Sequence, residues 1–254
     1  MTVSISFFAS RRPEAQEALE RMSKRYGNVA AEDADIVVAL GGDGAALDAL
    51  RRRFSDKKPV YGMHRGTVGF LMNEYVEDDL PARLDAAERA TLVPLRMVAT
   101  DIHGQVHHEL AINEVSLLRQ TAQTAKLRIQ VDGKERMPSL SCDGIMVATP
   151  AGSTAYNLSA HGPILPIGAN LLAMTPVSAY RPRRWRGALL RHDARVRLDV
   201  LEPERRSVSA TADNVEVRDI AQVEVLEDSD KSLTMLFDPG HALDERILRE
   251  QFVV

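Results

Sequence analysis

The sequence predicts an α+β protein of two domains, an α/β N-terminal domain with a Rossmann-like parallel sheet and an all-β C-terminal domain. Strand and helix patterns alternate over residues 1–90, which is typical of a parallel α/β sheet. After about Thr91 almost every pattern is that of a strand. Because a strand and a helix follow residue 230, we expect the chain to return to the first domain. The predicted domains are residues 1–91 with about 230–254, and residues 92–229.

Apolar periodicity predicts the elements of the N-terminal domain. Ile36–Leu40 is an uninterrupted apolar run, which is typical of a strand buried on both faces of a parallel sheet. Pro13 favours the first turn of a helix, and Gly27 favours its end. The predicted elements are a strand over Val3–Phe8, a helix from Pro13 to Gly27 with Ala15, Ala18, Leu19 and Met22 on one face, the strand Ile36–Leu40, a helix with Leu47, Leu50 and Phe54 inward, a strand over Pro59–Met63 and a helix over Asp78–Ala90.

Runs of strand-forming residues separated by turns predict the C-terminal domain. Turns are expected at His103-Gly104 and Asp132-Gly133. The predicted strands are Leu92–Ile102, Gln105–Leu118, Ala125–Val131, Ile145–Ala148, Arg195–Leu201, Ser207–Thr211, Val215–Val225 and Ser232–Phe237, followed by a final helix over Ala242–Phe252.

Composition excludes several classes of protein. A net charge of −4 argues against a nucleic-acid binder, and 44% hydrophobic with 27% charged residues is ordinary for a globular protein. The single cysteine, Cys142, excludes an intramolecular disulfide framework and a multi-cysteine zinc site, so a reducing, cytoplasmic location is expected. The N-terminus has no basic region followed by an apolar run, and therefore does not resemble a signal peptide.

Residues 144–180 contain no Asp, Glu, Lys or Arg. Several prolines and glycines interrupt this stretch, and its polar side chains would be unsatisfied in lipid, so we do not expect a membrane span. A long uncharged segment rich in Gly, Ser and Thr is expected to be buried or to surround a ligand.

Gly41-Gly42-Asp43-Gly44 follows the predicted strand Ile36–Leu40 and opens a helix. Ligands of open α/β sheets bind at such strand ends, and the helix N-terminus attracts phosphate. An Asp there would repel phosphate unless it binds magnesium or accepts a proton from an attacking hydroxyl. The alternative is an ordinary turn in which Asp43 caps the helix, and the four residues alone favour neither.

Three further motifs carry polar groups suited to a nucleoside. Gly152–Ser159 offers small side chains, hydroxyls and the flat ring of Tyr156, although Ser153 could instead cap a helix. Asn113-Glu114 and Ser141–Gly144 could hydrogen-bond ribose hydroxyls or a base edge. Taken singly, each of these two is better explained as an ordinary polar turn or strand end.

Taken together and in order, these motifs resemble the NAD kinase family. Gly41–Gly44, Asn113-Glu114, Asp143-Gly144 and Gly152–Ser159 carry the resemblance, with Gly62–Phe70 and the Gly162–Pro166 tail, and it covers about Ile36 to Val217. The stretch Arg181–Leu190 is most similar to the short bacterial members. Gly-Gly-Asp-Gly alone also occurs in diacylglycerol-kinase-like and phosphofructokinase-like enzymes.

The resemblance implies transfer of the γ-phosphoryl group of ATP, or of polyphosphate, to the 2′-hydroxyl of the adenosine ribose of NAD, with Mg²⁺. It implies ATP and NAD bound between the two domains, and a homodimer or homotetramer. By this resemblance Asp43 is the general base and Gly44 lies beside the nucleotide. The implied NAD contacts are Asn113, Glu114, Asp143, Thr154, Ala155, Tyr156, Asn157, Leu158, Ser159 and Ala179.

The chain departs from the family pattern at three places. His64 stands where Asn is usual, Ala45-Ala46 where a longer side chain is common, and Asp213-Asn214-Val215 in place of a sequence like Asp-Gly-Gln. None of these positions is the proposed base, but each could change nucleotide affinity or the phosphoryl donor.

Two other functions are also compatible with the sequence. A lipid or sugar kinase would share only the Gly-Gly-Asp-Gly loop, and a nucleotide-binding regulator would lack catalysis. The arginines of Arg181–Arg191 around Trp185 are expected to face phosphates or a neighbouring subunit rather than nucleic acid. His107 and His108 have no third residue at metal-ligand spacing and are expected on an exposed strand.

Overall fold

In the computed structural model, the apolar run at Ile36 forms β2 (Ile36–Gly41), a strand that is buried along its whole length. The structure describes residues 3–66, 69–240, 243–250 and 252. Two compact units are present, Met1–Leu92 with Lys231–Val254, and Val93–Asp230. The first unit is built on a five-stranded sheet with the strand order β1 (Ile5–Ala9), β2, β3 (Val60–His64), β17 (Leu233–Phe237) and β4 (Glu88–Leu92).

All pairings of this sheet are parallel except that of β17 with β4. The sheet therefore confirms the predicted α/β class, and the strand after residue 230 lies inside the N-terminal sheet. The helices of this unit are α1 (Pro13–Tyr26), α2 (Asp43–Arg51), α3 (Leu80–Ala86) and α5 (Leu243–Glu250).

The first two helices bury small side chains. In α1, Ala15, Ala18 and Met22 are buried, and Leu19 is half-buried. The predicted inward face of α2 was partly wrong, because Leu47 and Phe54 are half-exposed and the helix ends at Arg51. Its buried residues are Ala45, Ala46, Ala49 and Leu50. Alanines allow the helix to lie close to the sheet, so Ala45-Ala46 are accounted for by packing.

Two predicted elements had the wrong limits. The predicted helix Asp78–Ala90 ends at Ala86, because residues 88–92 form β4 and pair with β17. Backbone hydrogen bonds to a neighbouring strand outweigh a local helical pattern. The predicted strand Leu92–Ile102 is divided between β4 and β5 (Leu95–Asp101). In the final helix, Ala242 and Gln251 lie outside the described residues.

The second unit is a β-sandwich of two six-stranded sheets. One has the order β12 (Ala188–Arg191), β11 (Leu171–Val177), β10 (Gly144–Ala148), β7 (Glu114–Arg119), β14 (Val208–Ala212) and β15 (Val215–Val217). The other has the order β6 (Val106–Ala111), β5, β16 (Ile220–Glu227), β13 (Val196–Val200), β8 (Ala125–Val131) and β9 (Lys134–Cys142). All its strand pairings are antiparallel, which confirms the predicted all-β class.

Inward side chains of both sheets form one apolar core, to which Cys142 contributes as a buried free thiol. Burial raises the pKa of this thiol to about 12, so it carries no reactive thiolate at neutral pH. No helix in the described ranges is both long enough and apolar enough to cross a membrane.

Two predicted strands of this unit are each two strands. Gln105–Leu118 divides into β6 and β7, which lie in different sheets, and Val215–Val225 divides into β15 and β16. Both halves have strand-forming residues, so periodicity alone does not reveal the break. The strands β9, β11 and β12 were not predicted. Pro138 in β9 and Pro176 in β11 weaken the strand pattern.

Candidate active site

The Gly-Gly-Asp-Gly motif lies where β2 ends and α2 begins. A Cβ on Gly41 would lie 2.9 Å from Ala45 Cβ and 3.0 Å from Ser10 Oγ, and the φ of 150° also favours glycine. Gly42 and Gly44 are different, because a Cβ on either would meet no atom of the described residues within 4 Å. Packing therefore requires glycine at Gly41, and the open space at Gly42 and Gly44 leaves the backbone accessible to a ligand.

The Asp43 carboxylate is held by a distant backbone segment. The Phe70 N–H donates to its Oδ2 and the Leu71 N–H to its Oδ1, each at 2.8 Å. Gly69 fits against the carboxylate only because it has no side chain, since a Cβ there would lie 2.1 Å from Asp43 Oδ1. The N-cap of α2 is Gly42 and has no side-chain capping bond, so the alternative in which Asp43 caps the helix is wrong.

These two bonds leave acceptor capacity on the carboxylate. An ionised carboxylate has about four lone-pair sites, and one on each oxygen of Asp43 is used. The free positions can accept a hydroxyl proton or contribute to a cation site. Thr67 and Val68, within the Gly62–Phe70 segment that carried part of the resemblance, lie outside the described residues.

Asp43 lines a cleft of about 700 Å³ in the first unit. Four arginines, two carboxylates and the Gly-Gly-Asp-Gly backbone contribute to it. Its lining residues are Phe8, Ala9, Ser10, Arg11, Arg12, Gly42, Asp43, Gly44, Ala45, Asp48, Arg52, Arg65 and Gly69.

The charge of this cleft favours anions. In the described part of the chain, none of Arg11, Arg12, Arg52 and Arg65 forms an ion pair with a carboxylate. Arg52 instead lies over the Phe8 ring at 5.1 Å, and Arg65 over the Tyr75 ring at 4.3 Å. Four guanidinium groups against two carboxylates, beside the N-terminus of α2, form a site suited to a polyphosphate.

Sequence reasoning did not assign these four arginines. A usable signal was present, because Arg11-Arg12 follow the end of β1 after one residue and Arg65 follows β3 directly. The carboxyl ends of neighbouring parallel strands lie at one edge of a sheet, so charged residues just after them converge.

The described residues form no metal-ligand cluster by themselves. No group of three or more His, Cys, Asp or Glu suited to a metal ion occurs among the described residues. The cleft does contain Asp43 and Asp48. Because Mg²⁺ in nucleotide-using enzymes is held by one or two carboxylates together with substrate phosphates, these residues fit a cation that arrives with the nucleotide.

In the second unit, Asp213 holds the backbone of the Asn113-Glu114 motif. Its carboxylate accepts the N–H groups of Ile112, Asn113 and Glu114 at 2.7, 2.8 and 3.2 Å. These bonds account for the break between β6 and β7. Asp213 belongs to a segment that departs from the family pattern. Its contact with residues 112–114 is set by the tertiary structure, and no sequence signal indicated it.

Glu114 is buried, with 9% of its surface exposed, and its Oε2 has no hydrogen-bond partner among the described residues. Burial, together with the charge of Asp213, raises the pKa of this carboxyl to about 7. A buried carboxyl oxygen without a partner is costly in a folded protein, and a polar ligand would satisfy it. Asn113 is half-buried beside it.

A buried polar network holds the Gly152–Ser159 loop. It consists of a 3₁₀ turn over Ala151–Thr154 and the short helix α4 (Tyr156–Ser159). Gly152 packs on the Asn113 backbone, since a Cβ there would lie 2.2 Å from Asn113 O. The Ser153 hydroxyl bonds Pro150 O and accepts the Leu165 N–H, so the alternative that it caps a helix is wrong.

Asn157 lies inside this loop rather than on its surface. Its amide donates to Ser153 O and Pro163 O, and its Oδ1 accepts the Thr175 hydroxyl at 2.7 Å. The side chain is fully buried, so its bonds hold the loop together. In contrast, Tyr156 and Ser159 are exposed, and Thr154, Ala155 and Leu158 are half-buried.

Asp143 and Ala179 lie on neighbouring segments of the same unit. Partial burial acts to raise the pKa of Asp143, but hydrogen bonds from Arg119 (2.5 Å) and Tyr180 (3.1 Å) outweigh it, and the pKa is lowered. Asp143 therefore remains ionised at neutral pH. Ala179 is half-buried and packs against the sandwich core.

Comparisons with known proteins match both halves of the chain to one family. Residues 4–88 match the family model for the ATP-NAD kinase N-terminal domain, and residues 112–227 match that for the ATP-NAD kinase C-terminal domain. The chain is 69% identical to a protein named NAD kinase from Hyphomonas neptunium, covering 98% of this chain and 97% of that protein. It is 61% identical to a protein of the same name from Caulobacter vibrioides, covering 98% and 95%.

Two solved structures have the same fold. The first is the yeast NADH kinase complexed with NADH, with a TM-score of 0.84 and 20% identity over 98% of this chain and 86% of that chain. The second is an NAD kinase from Archaeoglobus fulgidus in complex with ATP, with a TM-score of 0.74 and 21% identity over 98% and 96%.

Proposed function

The chain belongs to the NAD kinase family, and we propose from that premise that it transfers the γ-phosphoryl group of ATP to the 2′-hydroxyl of the adenosine ribose of NAD. The observation that carries this proposal is the Asp43 carboxylate in a cleft lined by four arginines. Phosphoryl transfer needs positioning and charge neutralisation more than covalent chemistry, and this cleft offers both.

The cleft is assigned to the phosphoryl donor. Arg11, Arg12, Arg52 and Arg65 would bind the donor phosphates, and the open backbone at Gly42 and Gly44 would let N–H groups approach them. Polyphosphate offers the same charge pattern and is a second possible donor. Mg²⁺ would neutralise phosphate charge when bound with the nucleotide, with Asp43 and Asp48 as the available carboxylates.

Asp43 is assigned as the general base. Phe70 and Leu71 fix its carboxylate, and a free lone pair accepts the 2′-hydroxyl proton. The ribose oxygen then bonds to the γ-phosphorus as the bond from that phosphorus to the β,γ-bridging oxygen breaks. The products are NADP and ADP.

The acceptor NAD is assigned to residues of the second unit. Asn113 and Glu114 are held rigidly by Asp213, and the unpartnered Glu114 Oε2 would bond the substrate. Asp143, Tyr156, Ser159, Thr154, Ala155, Leu158 and Ala179 are proposed contacts. The buried Asn157 is proposed to shape the loop around them. We also propose that the protein is cytoplasmic and forms a homodimer or a homotetramer.

Incubation with NAD, ATP and Mg²⁺ tests the activity. We expect NADP and ADP in equal amounts, measured by a dehydrogenase specific for NADP and by phosphorus NMR. Phosphorylation of a diacylglycerol or a sugar with no NADP formed would instead support a lipid or sugar kinase. Binding of NAD without turnover, at any donor concentration, would support a regulator that lacks catalysis.

A further inference from the structure

Arg246 lies in α5, which follows β17 in the first unit, and contacts the segment that holds Asp43. Its Nη1 donates to the carbonyl oxygens of Gly69 (3.5 Å) and Phe70 (3.2 Å), and it also bonds Met72 O. The guanidinium lies over the Phe237 ring at 5.1 Å. One nitrogen of this side chain therefore contacts three carbonyl oxygens of one segment, those of Gly69, Phe70 and Met72.

The same two peptide groups face Arg246 on one side and Asp43 on the other. The Gly69 carbonyl and the Phe70 N–H belong to one peptide group, and the Phe70 carbonyl and the Leu71 N–H belong to the next. Arg246 bonds both carbonyls, and the Asp43 carboxylate accepts both N–H groups. Each peptide group thus relays a hydrogen bond from the guanidinium to one carboxylate oxygen.

The two relays differ in length on the carbonyl side, since Nη1 lies 3.2 Å from Phe70 O and 3.5 Å from Gly69 O. Hydrogen bonds in a chain polarise one another, so a cation on the carbonyl side strengthens the N–H donors on the other side. Since each relay ends on a different oxygen, both the position and the rotation of the carboxylate plane are set. Gly69 can lie this close to Asp43 only because it has no side chain.

We propose that Arg246 is a positioning residue for phosphoryl transfer, which orients the Asp43 carboxylate through the peptide groups of residues 69–71. This proposal rests on the proposed role of Asp43 as the general base. Arg246 acts on the orientation of the base and does not line the donor cleft, so its loss is expected to lower kcat and to leave the KM for ATP and for NAD nearly unchanged.

A purely structural role is the competing explanation. Arg246 also bonds Asn73 Oδ1 at 3.4 Å and lies on Phe237, and both contacts anchor α5 to the sheet. If anchoring were its whole role, its replacement would lower Tm without a selective loss of kcat.

Arg83 provides a matched control in the same unit. It likewise donates to backbone carbonyls, at Glu74 and Val76, and it pairs with Asp238, whose N–H bonds Asn73. Within the described part of the chain, Arg83 makes no hydrogen bond to residues 69–72, so Arg83→Gln removes comparable structural bonds without touching either relay.

The experiment compares steady-state kinetics and thermal melting of wild type, Arg246→Gln, Arg246→Lys and Arg83→Gln. Misplacing a catalytic group by about 1 Å can cost on the order of a hundredfold in rate, so we expect kcat of Arg246→Gln to fall about ten- to a hundredfold, with each KM within about twofold of wild type. Arg246→Lys should recover part of kcat, because the ammonium keeps the positive charge but loses the Nη2 contact with Asn73 and the flat guanidinium that lies over Phe237. Arg83→Gln should lower Tm and keep kcat.

The double variant Asp43→Asn/Arg246→Gln separates the two proposals. If Arg246 acts through Asp43, the double variant should have the kcat of Asp43→Asn to within about twofold, since residues that act as a unit are not additive. An inactive Asp43→Asn together with a fully active Arg246→Gln would overturn the proposed role of Arg246 and would leave the proposed role of Asp43 standing. A fully active Asp43→Asn would overturn the proposed base itself. Should Arg246→Gln fail to fold, an Arg246→Lys variant with wild-type kcat would overturn the positioning role.

Discussion

Asp213 and Glu114 lie against each other at the start of β7. The Glu114 N–H donates to Asp213 Oδ1 at 3.2 Å, and the Asp213 N–H donates back to Glu114 O at 3.1 Å. These bonds hold the half-buried Asp213 next to Glu114, so that its charge acts on the buried Glu114 carboxyl. Burial and the neighbouring charge of Asp213 raise the pKa of Glu114 to about 7, whereas the Asp213 carboxylate is satisfied by three backbone N–H groups.

This relationship predicts a pH dependence of stability. The pKa of Glu114 is raised from 4.5 in an unfolded chain to about 7, so the folded state binds the extra proton between these values. Stability from this group is therefore complete below about pH 4.5 and is lost as pH rises towards 7. The loss amounts to about 3 kcal/mol. Urea unfolding of wild type and Glu114→Gln at several pH values should show the difference in unfolding free energy changing by about this amount. The exposed Glu204→Gln is the control, and an identical pH profile for wild type and Glu114→Gln would contradict the prediction.

Asp43→Asn should abolish most turnover while leaving NAD affinity nearly intact. The amide cannot accept the hydroxyl proton, and loss of a general base typically costs about 10²- to 10⁴-fold. Its NH₂ group would also face one of the two N–H donors at Phe70 and Leu71, which should cost about 1–3 kcal/mol of stability. Rapid-quench kinetics and calorimetric titration with NAD measure the two effects. A variant with near-normal kcat would remove the assignment of Asp43.

Arg12→Gln should weaken the phosphoryl donor and spare NAD. Arg12 lines the donor cleft, and a hydrogen bond to a charged group contributes about 1.5–3 kcal/mol. The KM for ATP should therefore rise about ten- to a hundredfold, with a weaker salt dependence than in wild type. Arg89→Gln, on the exposed edge strand β4 of the same unit, is the control and should change neither constant. Equal effects of both variants would mean that the KM for ATP depends on the net charge of the protein and not on the position of Arg12.

Tyr156→Ala and Asn113→Ala should act on NAD rather than on ATP. A lost hydrogen bond to the ribose or base is worth about 0.5–1.5 kcal/mol. Asn157→Ala should behave differently, because its side chain is buried and bonds Ser153 O, Pro163 O and Thr175, so it should chiefly lower Tm. Calorimetry and thermal melting of the three variants make the comparison. Unchanged NAD affinity in both Tyr156→Ala and Asn113→Ala would count against the proposed acceptor site.

The arginines around Trp185 are expected to lie at a contact between subunits. Trp185 packs partly against the sandwich core and lines an apolar hollow of about 250 Å³ with Met137 and Leu190. Trp and Arg are enriched at interfaces, and repulsion among the arginines would be relieved by acidic surface opposite them. Arg184→Glu and Trp185→Ala should reduce the mass measured by light scattering at low micromolar concentration. If both keep the wild-type mass and only substrate affinity falls, the arginines serve the nucleotide instead.

Much of the fold could be predicted because its signals are local. The uninterrupted run at β2, the helix from Pro13 to Gly27 and the alternating pattern of β8 each lie in one short segment. The errors occur where a partner distant in sequence decides. Residues 88–90 continue a helical pattern but pair with β17, and Gln105–Leu118 is broken where Asp213, 101 residues from Ile112, accepts three N–H groups.

The sequence by itself determined the fold class, the site of Gly-Gly-Asp-Gly at a strand end and the family resemblance, because each depends on residues adjacent in the chain. Only the tertiary structure decided what surrounds Asp43. Its carboxylate is bound by N–H groups 27 and 28 residues away, and Arg246, 177 residues beyond Gly69, completes the relays. The physical reason is that hydrogen bonds and charge–charge interactions depend on distance in space, and folding brings together groups whose spacing along the chain carries no periodic signal.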